Sequence, residues 1–308
     1  MLSRIAESLY WIGRYLERAD DTARLLDVHL QLTVDDPLVD PVFAGQLLLN
    51  VMGVETDEPF DSTLVMRLLC QSPGSPSSIM SALTGARESA RRSRETVSAE
   101  MWEAINMTWH GIQSGELSQG MPTATFRWVR ERCAVITGIA DGTMSHDQGW
   151  YFLLLGRSLE RVDMTARLLI AAAFGSSVMS WASALRACGA DHAFVRSYRD
   201  QDSERDAAEF LILDGLFPRS LVYTLGEAQE ALSRLDWVDR RIAAEGDAAR
   251  LLGRARAELE YRTRGEMLTD LPERMSDLQA TCNAANDAIS RRFFEGAVAA
   301  QWHEGAGA

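Results

Sequence analysis

The fourteen residues GRYLERADDTARLL, Gly13 to Leu26, return as GRSLERVDMTARLL at Gly156 to Leu169, identical at eleven positions with an offset of 143. Chance does not produce such a match, so the chain reads as two related helical halves, 1–145 and 146–308. A fainter echo supports this. SPSSI (Ser75–Ile79) answers FPRSL (Phe217–Leu221) at an offset of 142, and Leu83, Ala86 and Glu88 are answered by Leu225, Ala228 and Glu230. Halves related in this way are expected to pack about a pseudo-two-fold axis, with the repeated helix in the surface they share.

Working outward, helical periodicity runs the whole length. Leu2, Ile5, Leu9, Ile12 and Leu16 step by three and four, and Trp128, Ala134–Val135 and Ile139 recur at helical intervals of about two turns and one. Short β-branched runs bounded by hairpin turns are nearly absent. Prolines mark the breaks in VDDPLVDP, ETDEPFDS and QSPGSPSS, and Pro122, Pro218 and Pro272 stand near helix starts. The predicted fold is all-α, a multi-helical bundle forming one domain over 1–308. Helices are expected near 2–33, 41–53, 61–70, 77–95, 98–116, 122–143, 147–174, 178–189, 195–213, 218–243, 246–267 and 270–298. The tail after Gly296 is expected to fray.

Composition excludes several function classes. The chain has 308 residues, 46% apolar and 24% charged, with a net charge of −13. These are globular proportions. No apolar run approaches the ~20 residues of a membrane span, and Arg4, Glu7 and Arg14 interrupt any signal-peptide core. A cytoplasmic location without membrane attachment is therefore expected. The acidic balance argues against nucleic acid as a partner. There is no lysine: all 31 basic residues are arginine. This removes Schiff-base chemistry and a P-loop lysine, so any ATP chemistry is expected to come from a partner. Cys70, Cys133, Cys188 and Cys282 lie far apart, and the five histidines form no ligand pair. No metal site of that kind is expected.

The repeated helix carries the candidate chemistry. At about 100° per residue, Gly13, Glu17, Asp20 and Arg24 fall within about 60° of one another, and Gly156, Glu160, Asp163 and Arg167 repeat the arrangement. Glycine inside a helix costs up to ~1 kcal/mol relative to alanine, so two equivalent glycines suggest close backbone approach. Arg14 with Arg18, and Arg157 with Arg161, project from a neighbouring face. Three readings stay open. The stripe is a buried ionic network built on the i,i+4 pairs Asp20–Arg24 and Asp163–Arg167. Or it is a pocket for an anionic or zwitterionic small molecule, with arginine forks on a carboxylate or phosphate. Or four carboxylates, Glu17, Asp20, Glu160 and Asp163, hold a metal, a reading weakened by the crowding arginines. The network is expected to be one central, buried cluster, joined by Arg87 or Arg91 from the charged segment after Pro76. In that segment Arg87, Glu88, Arg91, Arg94 and Glu95 form a dense stripe, Ser98 reads as a helix N-cap, and Trp102, Asn106 and Trp109 read as packing.

These residues resemble the alpha-E family, bacterial all-helical domains of unknown function named for a repeated Glu-Arg motif. Glu17–Arg18 and Glu160–Arg161 match that motif, and Pro76 to Asn106 is similar to a second family segment through Arg87, Glu88, Arg91, Arg94, Glu100, Trp102 and Asn106. The second copy of that segment is degenerate, with Ala228–Gln229–Glu230 in place of the arginine-rich run, which favours one site dominated by the first half. The resemblance implies partnership with circularly permuted ATP-grasp proteins, which would use ATP and magnesium, and with transglutaminase-like proteins. That context implies formation of an amide or peptide bond. No cofactor is expected in this chain itself.

Two functions follow. In the first, the chain binds an amino acid, peptide or acyl intermediate through Arg14, Glu17, Arg18, Asp20, Arg24, Arg87, Glu88, Arg91, Arg157, Glu160, Arg161, Asp163 and Arg167. Glu17 or Glu160 would then be the general base for an attacking amine. In the second, the cluster is structural and the chain is a scaffold that docks the ATP-grasp or transglutaminase-like partner.

Overall fold

The computed structural model describes residues 1–61, 63–175, 179–198, 204–235, 247–263 and 266–295. Among these every regular element is helical. In chain order they are α1 (Ser3–Asp35), α2 (Pro41–Val51), α3 (Leu64–Met66), which continues as a π-helical turn Arg67–Gln71, α4 (Ile79–Arg92), α5 (Ala99–Gln113) and α6 (Pro122–Thr143). They continue with α7 (Gln148–Ala173), α8 (Trp181–Ala187), α9 (Asp191–Ser197), α10 (Glu204–Leu213), α11 (Leu221–Leu235), α12 (Ala248–Glu260) and α13 (Leu271–Ile289), which ends in a π-helical turn Ser290–Phe294.

The helix starts follow local chemistry. Ser78 accepts a hydrogen bond from the Ser81 amide at 3.0 Å and Ser98 one from Met101 at 3.1 Å. Asp147 does the same for Gly149 at 2.8 Å. Each satisfies a donor that the first helical turn leaves open. Pro41 and Pro122 begin α2 and α6, where a missing N–H is harmless. The expected helix over 195–213 is instead two elements, α9 and α10, with residues 199–203 between them outside the described set. The last part of the 218–243 helix and the fraying tail after Gly296 also lie outside the described residues.

The helices α1 and α7 form the axis of the bundle and pack most extensively on each other. α4 and α6 lean on α1, while α11 and α13 lean on α7. One contiguous apolar core, from Ala6 to Ile289, fills the space between them. Tyr10, Phe126 and Phe210 are its largest fully buried side chains. The four cysteines are free and buried within it. Burial pushes the Cys70, Cys188 and Cys282 thiols up to about 12 and Cys133 well above its usual value, so these are packing residues rather than nucleophiles. Among the described residues no helix is long and apolar enough to cross a membrane.

Candidate functional site

The two axial helices touch at their glycines. A Cβ on Gly13 would run into the Leu153 carbonyl oxygen and lie 2.8 Å from the Arg157 amide. A Cβ on Gly156 would run into the Tyr10 carbonyl oxygen. With the backbones in contact, side chains one turn further along each helix reach across to the other. Arg14 donates from Nε to Glu160 Oε2 at 2.6 Å, and Arg18 donates from Nε to Oε1 at 2.5 Å and from Nη2 to Oε2 at 3.1 Å. In the opposite direction, Arg161 donates from Nε to Glu17 Oε1 at 2.6 Å and from Nη2 to Oε2 at 2.8 Å. Each Glu-Arg pair is thus completed by the other helix. The remaining arginine nitrogens find carbonyls: Arg18 reaches Pro76 and Arg161 reaches Pro218, at 3.4 and 3.0 Å.

A further arginine enters from the turn before α11. Arg219 Nη1 lies 2.9 Å from Glu17 Oε1 and also pairs with Asp21 Oδ1, while Nη2 lies 2.5 Å from Asp20 Oδ2. Arg24 donates to the same Asp20 oxygen at 2.8 Å. Its guanidinium has room because Gly189, a left-handed residue ending α8, presents no Cβ there. This set holds three carboxylates (Glu17, Asp20, Asp21) against three guanidiniums (Arg24, Arg161, Arg219). Around Glu160, Arg14 also donates to Asn286 Oδ1 at 3.1 Å, and the Tyr10 hydroxyl donates to the same oxygen at 2.8 Å. Asp163 accepts from Arg167 and from Gln279, both at 2.8 Å.

Electrostatics follow from this pairing. Burial by itself would raise Glu17, but Arg161 and Arg219 overcome it and hold the carboxyl at about 2. Glu160 is likewise held below the usual carboxylate range, against burial, by Arg14 and Arg18. Asp21 goes the other way. Burial, with Glu17 and Asp20 beside it, lifts it to about 7 against the pull of Arg219, and its Oδ2 is buried without a hydrogen-bond partner.

The expected single cluster is corrected to separate hydrogen-bonded sets around Glu17, Glu160 and Asp163. Glu17, Asp20 and Glu160 are buried at 5%, 8% and 3% exposure, whereas the Arg24, Asp163 and Arg167 side chains are only half-buried. Arg87 and Arg91 do not join. α4 turns Ile79, Ala82, Leu83, Ala86 and Ala90 into the core, which leaves Arg87 against α5 and Arg91 on the surface. Arg87 donates to Asn106 at 3.1 Å and lies over Trp109, and Arg91 pairs with Glu88 at 2.9 Å on the surface. Arg157 stands 3.6 Å from Asp141 of α6. The joining arginine is Arg219, from the second half, so the cluster is not dominated by the first.

Sequence reasoning missed Arg219, Asp21, Tyr10, Asn286 and Gln279. For the first two a signal existed: they are departures from the repeat, with Ser77 opposite Arg219 and Met164 opposite Asp21. Glu17, Asp20 and Asp21 have oxygens within 4.8 Å of one another, a spacing a cation could use. Arg219 already lies against all three and supplies the positive charge. Three cavities among the described residues lie away from this cluster, one of about 510 Å³ between α1 and α4, one of about 740 Å³ between α7 and α11, and one of about 130 Å³ between α12 and α13.

Fold and site define a class: an all-helical bundle whose two axial helices exchange Glu-Arg ion pairs. The family model for "a predicted alpha-helical domain with a conserved ER motif" matches residues 1–294, and the chain belongs to this alpha-E family. It is also similar to uncharacterised proteins of Mycobacterium bovis and Mycobacterium tuberculosis, 25% identical over 266 residues. That match covers 75% of this chain, which spans about 30% of the relatives' length. No solved structure matches the chain.

Proposed function

We propose that this chain is the non-catalytic helical component of an ATP-dependent amide-forming system, a scaffold that docks an ATP-grasp partner. One observation carries this reading: both oxygens of Glu17 and of Glu160 are taken by arginines across the α1–α7 contact. A carboxylate held near 2 and saturated with guanidinium donors is a poor general base. Its worth lies in fixing the orientation of two helices, the specificity role of buried ion pairs. The reciprocal pairs Arg18–Glu160 and Arg161–Glu17 support a pseudo-two-fold relation between the halves. That the mycobacterial relatives carry this region as a minor part of a longer chain supports a module working beside other domains. On this reading ATP and magnesium belong to the ATP-grasp partner, a transglutaminase-like protein is a second partner, and the system is cytoplasmic.

The test is Glu160→Gln in the chain co-expressed with its ATP-grasp neighbour. The variant leaves Arg14 and Arg18 underpaired, at a cost of roughly 3–5 kcal/mol for a broken buried pair. A lowered Tm with partner capture and amide formation retained, measured below the new Tm, is the expected result. An unchanged Tm with activity abolished would make the cluster a reaction site and end the scaffold reading.

A further inference from the structure

The cavity between α1 and α4 is lined by Arg4, Glu7, Trp11, Tyr15, Ser89 and Arg92, together with Ser8, whose hydroxyl turns back to the Arg4 carbonyl. None of its residues belongs to the ion-pair network, and its volume of about 510 Å³ lies in the usual range for small-molecule sites. What it offers a ligand is open hydrogen-bonding capacity of both charges beside two aromatic rings. Among the described residues Arg4 and Arg92 pair with no carboxylate and Glu7 with no cation. The Trp11 indole N–H, the Tyr15 hydroxyl and the Ser89 hydroxyl donate to no described protein atom.

The aromatic wall is held in place. The Trp11 and Tyr15 rings lie 5.3 Å apart with 30° between planes, and the Arg14 and Arg18 guanidiniums pack over them at 5.5 and 5.9 Å. Tyr15 can lie against α4 only because residue 85 is glycine: a Cβ there would be 2.8 Å from its ring. An ordinary reason exists for one cation, since Arg92 sits in the last turn of α4, where positive charge complements the helix dipole. That reason does not cover Arg4, the two rings or the open donors.

The cavity between α7 and α11 is an internal control. It uses the equivalent stretches of the repeat, yet Leu154 and Ser158 stand where Trp11 and Tyr15 do. Its Arg234 is already paired with Glu230 at 2.7 Å. Its rings, His146 and Tyr151, come from other positions of the repeat, and its arginine is not open to a ligand carboxylate as Arg4 and Arg92 are.

We infer that the α1–α4 cavity binds a small zwitterion of the amino-acid or short-peptide class, with its carboxylate on Arg4 and Arg92, its ammonium on Glu7, and a planar body on Trp11 and Tyr15. Arginine suits the carboxylate because its fork of donors matches two oxygens. The site is independent of the scaffold reading, since no residue of the Glu17 or Glu160 sets lines it.

Calorimetric titration of the whole chain with glycyl-L-phenylalanine, its C-terminal amide and its N-acetyl derivative tests this without any partner. The free dipeptide should bind with Kd of roughly 1 mM or tighter. Amidation should weaken it roughly tenfold or more, as expected for losing a charge-assisted contact, and acetylation should weaken it too. Arg4→Gln and Arg92→Gln, both on the exposed rim, should reproduce the amidation loss at unchanged Tm, while Arg234→Gln leaves binding as it was. No binding, equal binding of acid and amide, or indifference to both rim substitutions overturns the proposal. So does displacement of the dipeptide by inorganic phosphate at lower concentration, which would make the site one for phosphates.

Discussion

At the residue scale, the chain carries its own comparison for the cost of a buried ion pair. Asp21 of the first half faces Arg219 of the second, and the repeat puts Met164 and Ser77 at the places that would form the matching pair. Arg219→Ser alone leaves Asp21 and Glu17 short of a cation in the core, and should cost about 3–5 kcal/mol. Asp21→Met added to it removes the stranded carboxylate, so the double variant should recover a large part of that loss. Chemical denaturation of the four proteins measures the coupling; strict additivity would show that the two side chains do not stabilise each other. Protonation gives a second check. Glu17 is held at about 2 in the fold, so its contribution is full above its unfolded value near 4.5 and is lost as pH falls toward 2. Asp21 is lifted to about 7, so the native state holds its proton more tightly than the unfolded chain, and stability declines as pH rises from about 4 to about 7. Tm should therefore peak in mild acid and fall toward neutrality, and Asp21→Asn should flatten the neutral limb while leaving the acid limb in place.

At the scale of the element, the crossing of α1 and α7 rests on two missing methyl groups. Gly→Ala inside a helix ordinarily stabilises by up to ~1 kcal/mol. Gly138 on the exposed side of α6, with nothing within 4 Å of a built Cβ, should behave that way. At Gly13 the new carbon meets the Leu153 carbonyl and cannot be accommodated by a rotamer change, since the obstacle is backbone. Gly13→Ala should thus lower stability by roughly 1–3 kcal/mol, the cost of overpacking, and a Tm equal to or above wild type would remove the crossing as described. This contact was legible in the sequence, because a helical glycine that recurs at an offset of 143 marks a place where a side chain does not fit. The Asp20–Arg24 and Asp163–Arg167 pairs were legible too, being set by helix geometry alone. The partners of Glu17 and Glu160 were not. Which arginine crosses to which glutamate depends on the angle between two helices, and Arg219 arrives from a turn about 200 residues away in sequence. Arg87 and Arg91 were misplaced because a charged stripe does not say which side of its helix the core takes. The α1–α4 cavity went unread because Arg4, Trp11 and Ser89 meet only after α4 folds back onto α1.

For the molecule as a whole, the question is whether either half exists without the other. The apolar core is continuous from Ala6 to Ile289, and α1 is flanked by α4 and α6 of its own half and by α7 and the Ser290–Phe294 turn of the other. Cutting between α6 and α7 would bare the Gly13 face of α1 and strip Glu17 of both Arg161 and Arg219. The 146–308 fragment would in turn lose Arg14 and Arg18 from Glu160. Two stranded carboxylates and an exposed apolar seam outweigh the few kcal/mol by which a domain is normally stable. Residues 1–145 and 146–308 expressed separately should therefore give helical but non-cooperative or aggregated material, and mixing or co-expression should restore one cooperative melt. Because the connecting ion pairs are buried, they are weakly screened, and the reassembled pair should survive about 1 M salt in size-exclusion chromatography. Two monomeric fragments with sharp independent melts, or a complex that salt dissolves, would show that the Glu-Arg exchange decorates the contact between halves and does not create it.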